Sequence, residues 1–472
     1  MIDDRGVLEL CLDRDRKSSI RHPMPVDRAM IEAGPVARLR QHGNQADALR
    51  RMALGEAHLR LRALVAATLS GSAAALLAAV LFGATASQAV EIDPGGQVAT
   101  MPPVGPHWVF VPDRLLQTSF IFDGDSAEML GAIPSPGLLA AKLPPVARTR
   151  NEIYSVDVDY ERGVRGKRTD YVTIYDARSL EVMAYVDLPD PVSSSNTSQH
   201  HVALLDGDRF LIAFSQFPDG VGIVVDLEAR AVVARAPIAG CAGVYATGPR
   251  SFATLCGDGT TVQVVLTEEG QVASTQRSAG FFDVVADPVS MVGVQSGSTW
   301  HYVSFLGDVH RVDYASAKPV ATGPWSLVSA AEKEEGWRPG GLQPHTLHVA
   351  TNRLFVLMHE GEPGSHKDAS PEIWVYDVET GARLDRFEVP NLGVEFLGPM
   401  FGLAPDSFGR TVLGWIVPNE GAHAIVVSQD AEPLLFTRSH DYGVVGVLDA
   451  DTGEHLRTIG QAGFAGPTLG VP

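Results

Sequence analysis

The chain has 472 residues, 45% hydrophobic and 20% charged, with a formal net charge of −19. That is a globular composition, long enough for a large core. The first 89 residues hold 12 Lys/Arg and 9 Asp/Glu, which leaves 25 against 47 beyond them; a domain at −22 repels nucleic acid and anionic membrane surfaces.

Residues 1–51 are polar and read as a doubtful extension ahead of the true start, with a cytoplasmic tail as the other reading. Met52 opens MALGEAHLRLR, and Arg60 and Arg62 precede the apolar run LVAATLSGSAAALLAAVLFGATA at 64–86. Ser87-Gln88-Ala89 follows, which is the order of a signal peptide over 52–89, cleaved after Ala89. The run also has the length of a membrane span, so an uncleaved anchor is the alternative. Residues 90–472 form the exported domain.

That domain repeats one pattern. At 374–390, WVYDVETGARLDRFEVP places β-formers on both sides of a D-x-x-T-G corner. Asp377 can bond the backbone two residues on, and Gly381 supplies positive φ. Copies begin at Ile121, Ile174, Val224, Val264, Val309 and Gly446, with corner aspartates at Asp123, Asp176, Asp226, Asp313 and Asp449. The copy beginning at Val264 lacks one, with Leu266 at that position. Further short strands, RFLIAF (209–214), SFATLC (251–256), HYVSF (301–305) and RLFVLM (353–358), lie between the copies. Seven units of about fifty residues predict an all-β, seven-bladed β-propeller of four-stranded antiparallel blades, preceded by the signal-peptide helix. A single sandwich is too small for so many hairpins. Helical periodicity is scarce after residue 95, and AAEKEEG (330–336) is the clearest short helix.

Three cysteines are present. Cys11 falls in the leader, whereas Cys241 and Cys256 bracket CAGVYATGPRSFATLC. In an exported protein that pair reads as a hairpin-closing disulfide, with two free buried thiols as the alternative. Candidate ligands are His200, His201, His301, His310, His345, His348, His359 and His366. Spread over separate blades, they read as structural or surface residues, so no metal site is expected. No G-x-S-x-G, P-loop, H-E-x-x-H, C-x-x-C-H or G-x-G-x-x-G pattern occurs, and no catalytic residue is assigned to this chain. The segment 334–377 stands apart. Trp337-Arg338-Pro339-Gly340-Gly341 joins an aromatic, a cation and a turn, and the GEPGSHKD loop (361–368) offers His366 and Lys367. Trp and Arg anchor protein interfaces, so Trp337, Arg338, His366 and Lys367 are candidate partner contacts; a simple strand-initiating turn is the other reading.

GWRPGG, RLFVLMHEG, GSHKD and EIWVYDVETG together resemble the heavy subunit of the quinoprotein amine dehydrogenases, the methylamine and aromatic amine enzymes. RGKRTDYVTIYDARSLEV (165–182), FSQFPDGVGIVVDLE (214–228) and VLDADTGEHLRTIGQAG (447–463) agree with it, and RLFVLMHEGEPGSHKD leans toward the aromatic-amine branch. The resemblance implies a periplasmic heterotetramer of two heavy and two light subunits, with a heavy-chain disulfide at Cys241 and Cys256. It implies tryptophan tryptophylquinone in the light subunit and no cofactor bound by this chain. Electrons from amine oxidation would pass to a small blue copper protein, while the heavy subunit holds the light one and walls the substrate channel. The family places an aromatic residue at the channel mouth from an early heavy-chain loop; VFVPDRLLQTSFIFDGD (109–125) departs from that pattern, so no residue is assigned to it. The competing functions are a stand-alone exported propeller that binds protein or polysaccharide, and a metal-dependent propeller hydrolase.

Overall fold

The structure, a computed structural model, describes residues 100–135, 143–192, 198–316, 318–463, 466 and 468–472. The extension over 1–51 and the signal peptide over 52–89 lie outside the described residues.

Seven antiparallel sheets follow one another along the chain. Blade 3 shows the plan, from innermost to outermost strand: Val202–Leu205, Phe210–Ser215, Val221–Asp226 and Ala231–Pro237. All seven predicted repeats are the same part of a blade, the hairpin joining strand 3 to strand 4. The predicted corner is present in atomic detail. Asp377 Oδ1 accepts the N–H groups of Glu379 and Thr380 at 3.1 and 2.7 Å. Asp176, Asp226 and Asp449 accept the same two N–H groups of their own turns. Where the copy beginning at Val264 has Leu266 in place of the aspartate, Thr267 Oγ1 accepts from the N–H groups of Glu269 and Gln271 instead.

The sequence also explains why the middle strands are apolar throughout. Each sheet is sandwiched between two others, so side chains of both parities are buried. Leu211 and Ala213 pack toward blade 2, whereas Phe210, Ile212 and Phe214 pack toward blade 4. Seven such clusters exist, one at every blade-to-blade interface, including the one between blade 7 and blade 1. The ring is therefore closed. Outermost strands face solvent on one side, as the exposure pattern of Val182–Asp187 shows.

Two blades depart from four continuous strands. Blade 1 has three, Trp108–Asp113, Thr118–Asp123 and Met129–Pro134, and the C-terminal segment supplies its inner edge. Phe110 and Gly470 exchange backbone hydrogen bonds of 2.8 and 3.0 Å there. Arg438, fully buried, locks that closure by donating to the carbonyls of Pro112, Thr468 and Ala462. In blade 6 the inner strand is broken into Trp337–Pro339 and His345–His348, both paired with Arg353–Glu360.

The short helix expected at 330–336 is α1 (Ala330–Glu335), closed by a Ser329–Glu332 capping box and by Gly336 at φ +94°. Two further helices, α2 (Leu392–Met400) and α3 (Phe408–Ile416), link blades 6 and 7. Sequence reading missed them because Gly393, Gly398, Gly409, Gly414 and Pro399 are poor helix formers. Their signals are the caps: Asn391 accepts from the Val394 N–H, and Ser407 from the Arg410 N–H.

Candidate functional site

Antiparallel order sorts the connections between two faces of the ring. Turns joining strands 1 to 2 and 3 to 4 lie on one face, which carries the aspartate corners. Turns joining strands 2 to 3, and all blade-to-blade connections, lie on the other. This loop face gathers the WRPGG and GSHKD segments and the helical link α2–α3.

Three stretches near blade 6 are tied together there. Gly341 N–H donates to the His366 carbonyl, Leu342 N–H to the His423 carbonyl, and Ser370 and Ala422 exchange backbone bonds. The two glycines of WRPGG are needed for these approaches. A Cβ on Gly340 would lie 2.2 Å from His359 Nδ1, and one on Gly341 would lie 2.6 Å from the His423 carbonyl oxygen. Gly341 also has φ +113°, a conformation that disfavours side chains.

The four candidate contact residues sit differently within this assembly. Trp337 is half-buried, with its ring 5.0 Å from Trp374 and the Arg386 guanidinium 5.0 Å above it. Arg338 is buried and donates through Nε to the Gly336 carbonyl at 3.1 Å. His366 lies flat on Phe305, with centroids 3.8 Å apart and planes within 6°. Burial, with Lys367 beside it, holds the His366 imidazole below its usual pKa, hence neutral at pH 7. Lys367 is exposed and makes no ion pair with another described residue. The structure thus exposes Lys367 on the loop face, lays half-buried His366 on Phe305 of blade 5, and packs Trp337 and Arg338 into blade 6.

The other histidines divide between turns and the ring axis. His348 Nδ1 bonds Thr351 Oγ1 at 2.7 Å and its Nε2 bonds the Asp430 carbonyl at 2.9 Å. His359 Nε2 meets Ser365 Oγ at 2.8 Å. His310 lies within 5.9 Å of the Phe281 ring, and His201 stacks on Phe214 at 5.7 Å. His200, His301 and His345 are buried near the axis. Burial pushes His200 and His301 down to about 4, and His345, with His200 next to it, to about 3. His200 Nε2 bonds the blade 5 backbone at Gly293, and its ring is 4.5 Å from Tyr245 and 5.4 Å from Trp300.

Gln343, which the sequence did not single out, ties four inner edges together. Its Nε2 donates to Gln199 Oε1 and to the Ile425 and Leu469 carbonyls, and its Oε1 accepts from the Leu469 N–H. Gln343, His200 and His345 are thus buried polar side chains on or next to the inner strands. Among the described residues, no three His, Cys, Asp or Glu side chains are grouped as metal ligands. Cys241 and Cys256 face each other across strands 1 and 2 of blade 4 and form a disulfide.

The loop face thus offers a structured, partly apolar surface, with Asp258, Asp283, Asp287, Asp308 and His310 lining a depression between blades 4 and 5. In comparison with known proteins, the methylamine dehydrogenase heavy chain family matches residues 108–396. The methylamine dehydrogenase heavy chain of Paracoccus versutus is 28% identical over 354 residues, 74% of each chain. That of Methylorubrum extorquens is 27% identical over 431 residues, 88% of this chain and 95% of its own. Among solved structures, a protein of unknown function from Desulfotomaculum acetoxidans aligns with a TM-score of 0.51 at 11% identity, over 77% of this chain and 98% of its own, a likeness of fold alone.

Proposed function

The chain belongs to the methylamine dehydrogenase heavy chain family, and from that premise we propose that it is the scaffolding subunit of a periplasmic amine dehydrogenase. In this reading it pairs with a light subunit in a two-plus-two assembly. The complex oxidises a primary amine to the aldehyde and ammonia, and passes the electrons to a small copper protein. The tryptophan tryptophylquinone of the light subunit supplies the electrophile and the electron sink. This chain's residues hold the partner on the loop face, shape the approach to the quinone and exclude bulk water.

The family match carries the proposal. Two observations support the division of labour. Cys241 and Cys256, the only cysteines of the 90–472 domain, bind each other, so none is left for a bond to a partner. The nearest tryptophan pair, Trp337 with Trp374, is committed to packing beneath arginines.

The test is to purify this chain, tagged, from the periplasm of its native host. A second, cysteine-rich polypeptide with visible quinone absorbance should accompany it at a one-to-one ratio. The pair should turn over methylamine or an aromatic primary amine with an artificial electron acceptor, and this chain alone should not. Recovery of a single polypeptide, or amine oxidation by this chain by itself, would overturn the reading.

A further inference from the structure

Eight large apolar side chains of the described residues are more than two-thirds exposed, and the topology places all eight on the loop face. Leu115, Val164 and Val285 stand on separate connections. The other five, Met400, Phe401, Phe408, Trp415 and Ile416, fall within seventeen consecutive residues of the α2–α3 link, each 68 to 76% exposed. Exposed large apolar side chains concentrated in one link, two of them in ring contact, mark a face that a partner covers.

We propose that the α2–α3 pair is the docking platform for the light subunit, which buries Phe408 and Trp415 as its anchors. The proposal rests on the heavy-subunit reading above. Three observations select this occupant.

The platform is continuous with the segments singled out at the sequence level. The exit from α3 is stitched to the GSHKD loop through Ser370 and Ala422, and to WRPGG through Leu342 and His423.

It is also rigid before any partner arrives. Asn391 Nδ2 bonds the Val417 carbonyl at 2.8 Å, joining the start of α2 to the end of α3. Arg410, buried between the helices, pairs with Glu395 at 3.0 Å, and Thr458 Oγ1 of blade 7 donates to that same carboxylate. Phe408 and Trp415, seven residues apart on one helix face, meet edge-on at 6.5 Å. A pre-formed aromatic surface loses little entropy on association.

The third observation is charge. Residues 397–416 contain only two charged groups, Asp406 and the buried Arg410, in a domain that carries 25 basic and 47 acidic residues. Interface centres are depleted of charge in this way. A membrane surface fits poorly, because interfacial helices flank their apolar face with Lys and Arg, whereas here the carboxylates Glu420 and Asp441 flank Tyr442, which packs on Phe396 of α2. A second copy of this chain would bring another −22 toward the same face.

The test compares wild type with the double variant Phe408→Ser/Trp415→Ser, each purified as full chain from the native host. Both side chains face solvent, so the melting temperature of the chain should change little. Recovery of the quinone-bearing light subunit should fall about tenfold or more, the loss expected from removing central aromatic anchors. Undiminished light-subunit recovery overturns the platform while leaving the heavy-subunit reading intact. A wild-type chain that brings no light subunit defeats that reading and this one together. As a second arm, a photoreactive benzophenone amino acid replaces Trp415. A crosslink to the light subunit is the expected result; a crosslink to a second copy of this chain, or to lipid, overturns the proposal even if the double variant fails to fold.

Discussion

At Asp377 one carboxylate closes a hairpin by accepting two backbone N–H groups, and those bonds hold its pKa below the usual aspartate range. Because that interaction lies within four residues, it is readable in the sequence and recurs wherever the spacing does. Arg438 is the opposite case. Nothing local marks it, yet it is buried at the ring closure and donates to three carbonyls from two distant parts of the chain. Burial lowers its pKa to about 10, so it stays charged at neutral pH. Arg438→Met keeps much of the volume and removes every donor, leaving carbonyls buried without partners. The expected loss is about 3 kcal/mol or more, read as a lower urea midpoint with an unchanged slope. A midpoint within error of wild type would show that the clasp contributes nothing.

The elements show where local signals suffice and where they fail. Strands were legible because both their faces are buried, and their turns carry Asp, Gly or Thr. The Cys241–Cys256 hairpin was legible in the same way, from two cysteines at the ends of adjacent strands. Cys256→Ser should lower stability by about 3 kcal/mol in the loop-entropy model, while the quinone spectrum of the assembled complex stays as in wild type. Thermal unfolding checks the first outcome and absorbance the second; an unshifted melt removes the disulfide from the account of stability. The pair α2–α3 was hidden for a physical reason. Its glycines and Pro399 argue against helix, and its largest apolar residues face outward instead of forming a core stripe.

For the whole molecule, seven interfaces of similar construction make a closed ring that buries His200, His301 and His345 in its interior. His200 and His301 sit at about 4 and His345 at about 3, all depressed from 6.5 chiefly by burial. Their folded pKa values lie below the unfolded one, so the unfolded chain binds more protons between pH 6.5 and about 4. Stability is therefore complete above pH 6.5 and falls as pH drops through that window. Each unit of depression corresponds to about 1.4 kcal/mol, so the three together make acid loss steep. The turn aspartates add their own loss only below about pH 4, since their pKa values are lowered rather than raised. Urea unfolding at pH 7.5, 6 and 5 should give falling midpoints, and His345→Gln should flatten the trend. A midpoint independent of pH over that range would refute the role of these histidines.

How much could be read before folding differs by the range of the interaction. The repeat number, the strand-turn-strand units, the short capped helix, the disulfide and the family resemblance all rest on residues near one another in the chain. They were determined by the sequence itself. Closure by residue 470, the clasp of Arg438, the Gln343 junction and the contacts that bury His200, His301 and His345 join segments up to several hundred residues apart, so only the ring decides them. The same holds for the loop face. Trp337, Arg338, His366 and Lys367 were marked by residue type, but topology alone sorts buried Arg338 from exposed Lys367. Tertiary packing also leaves Phe408 and Trp415 in water, because side-chain chemistry states a preference for burial and only the assembled surface shows which groups have gone without it.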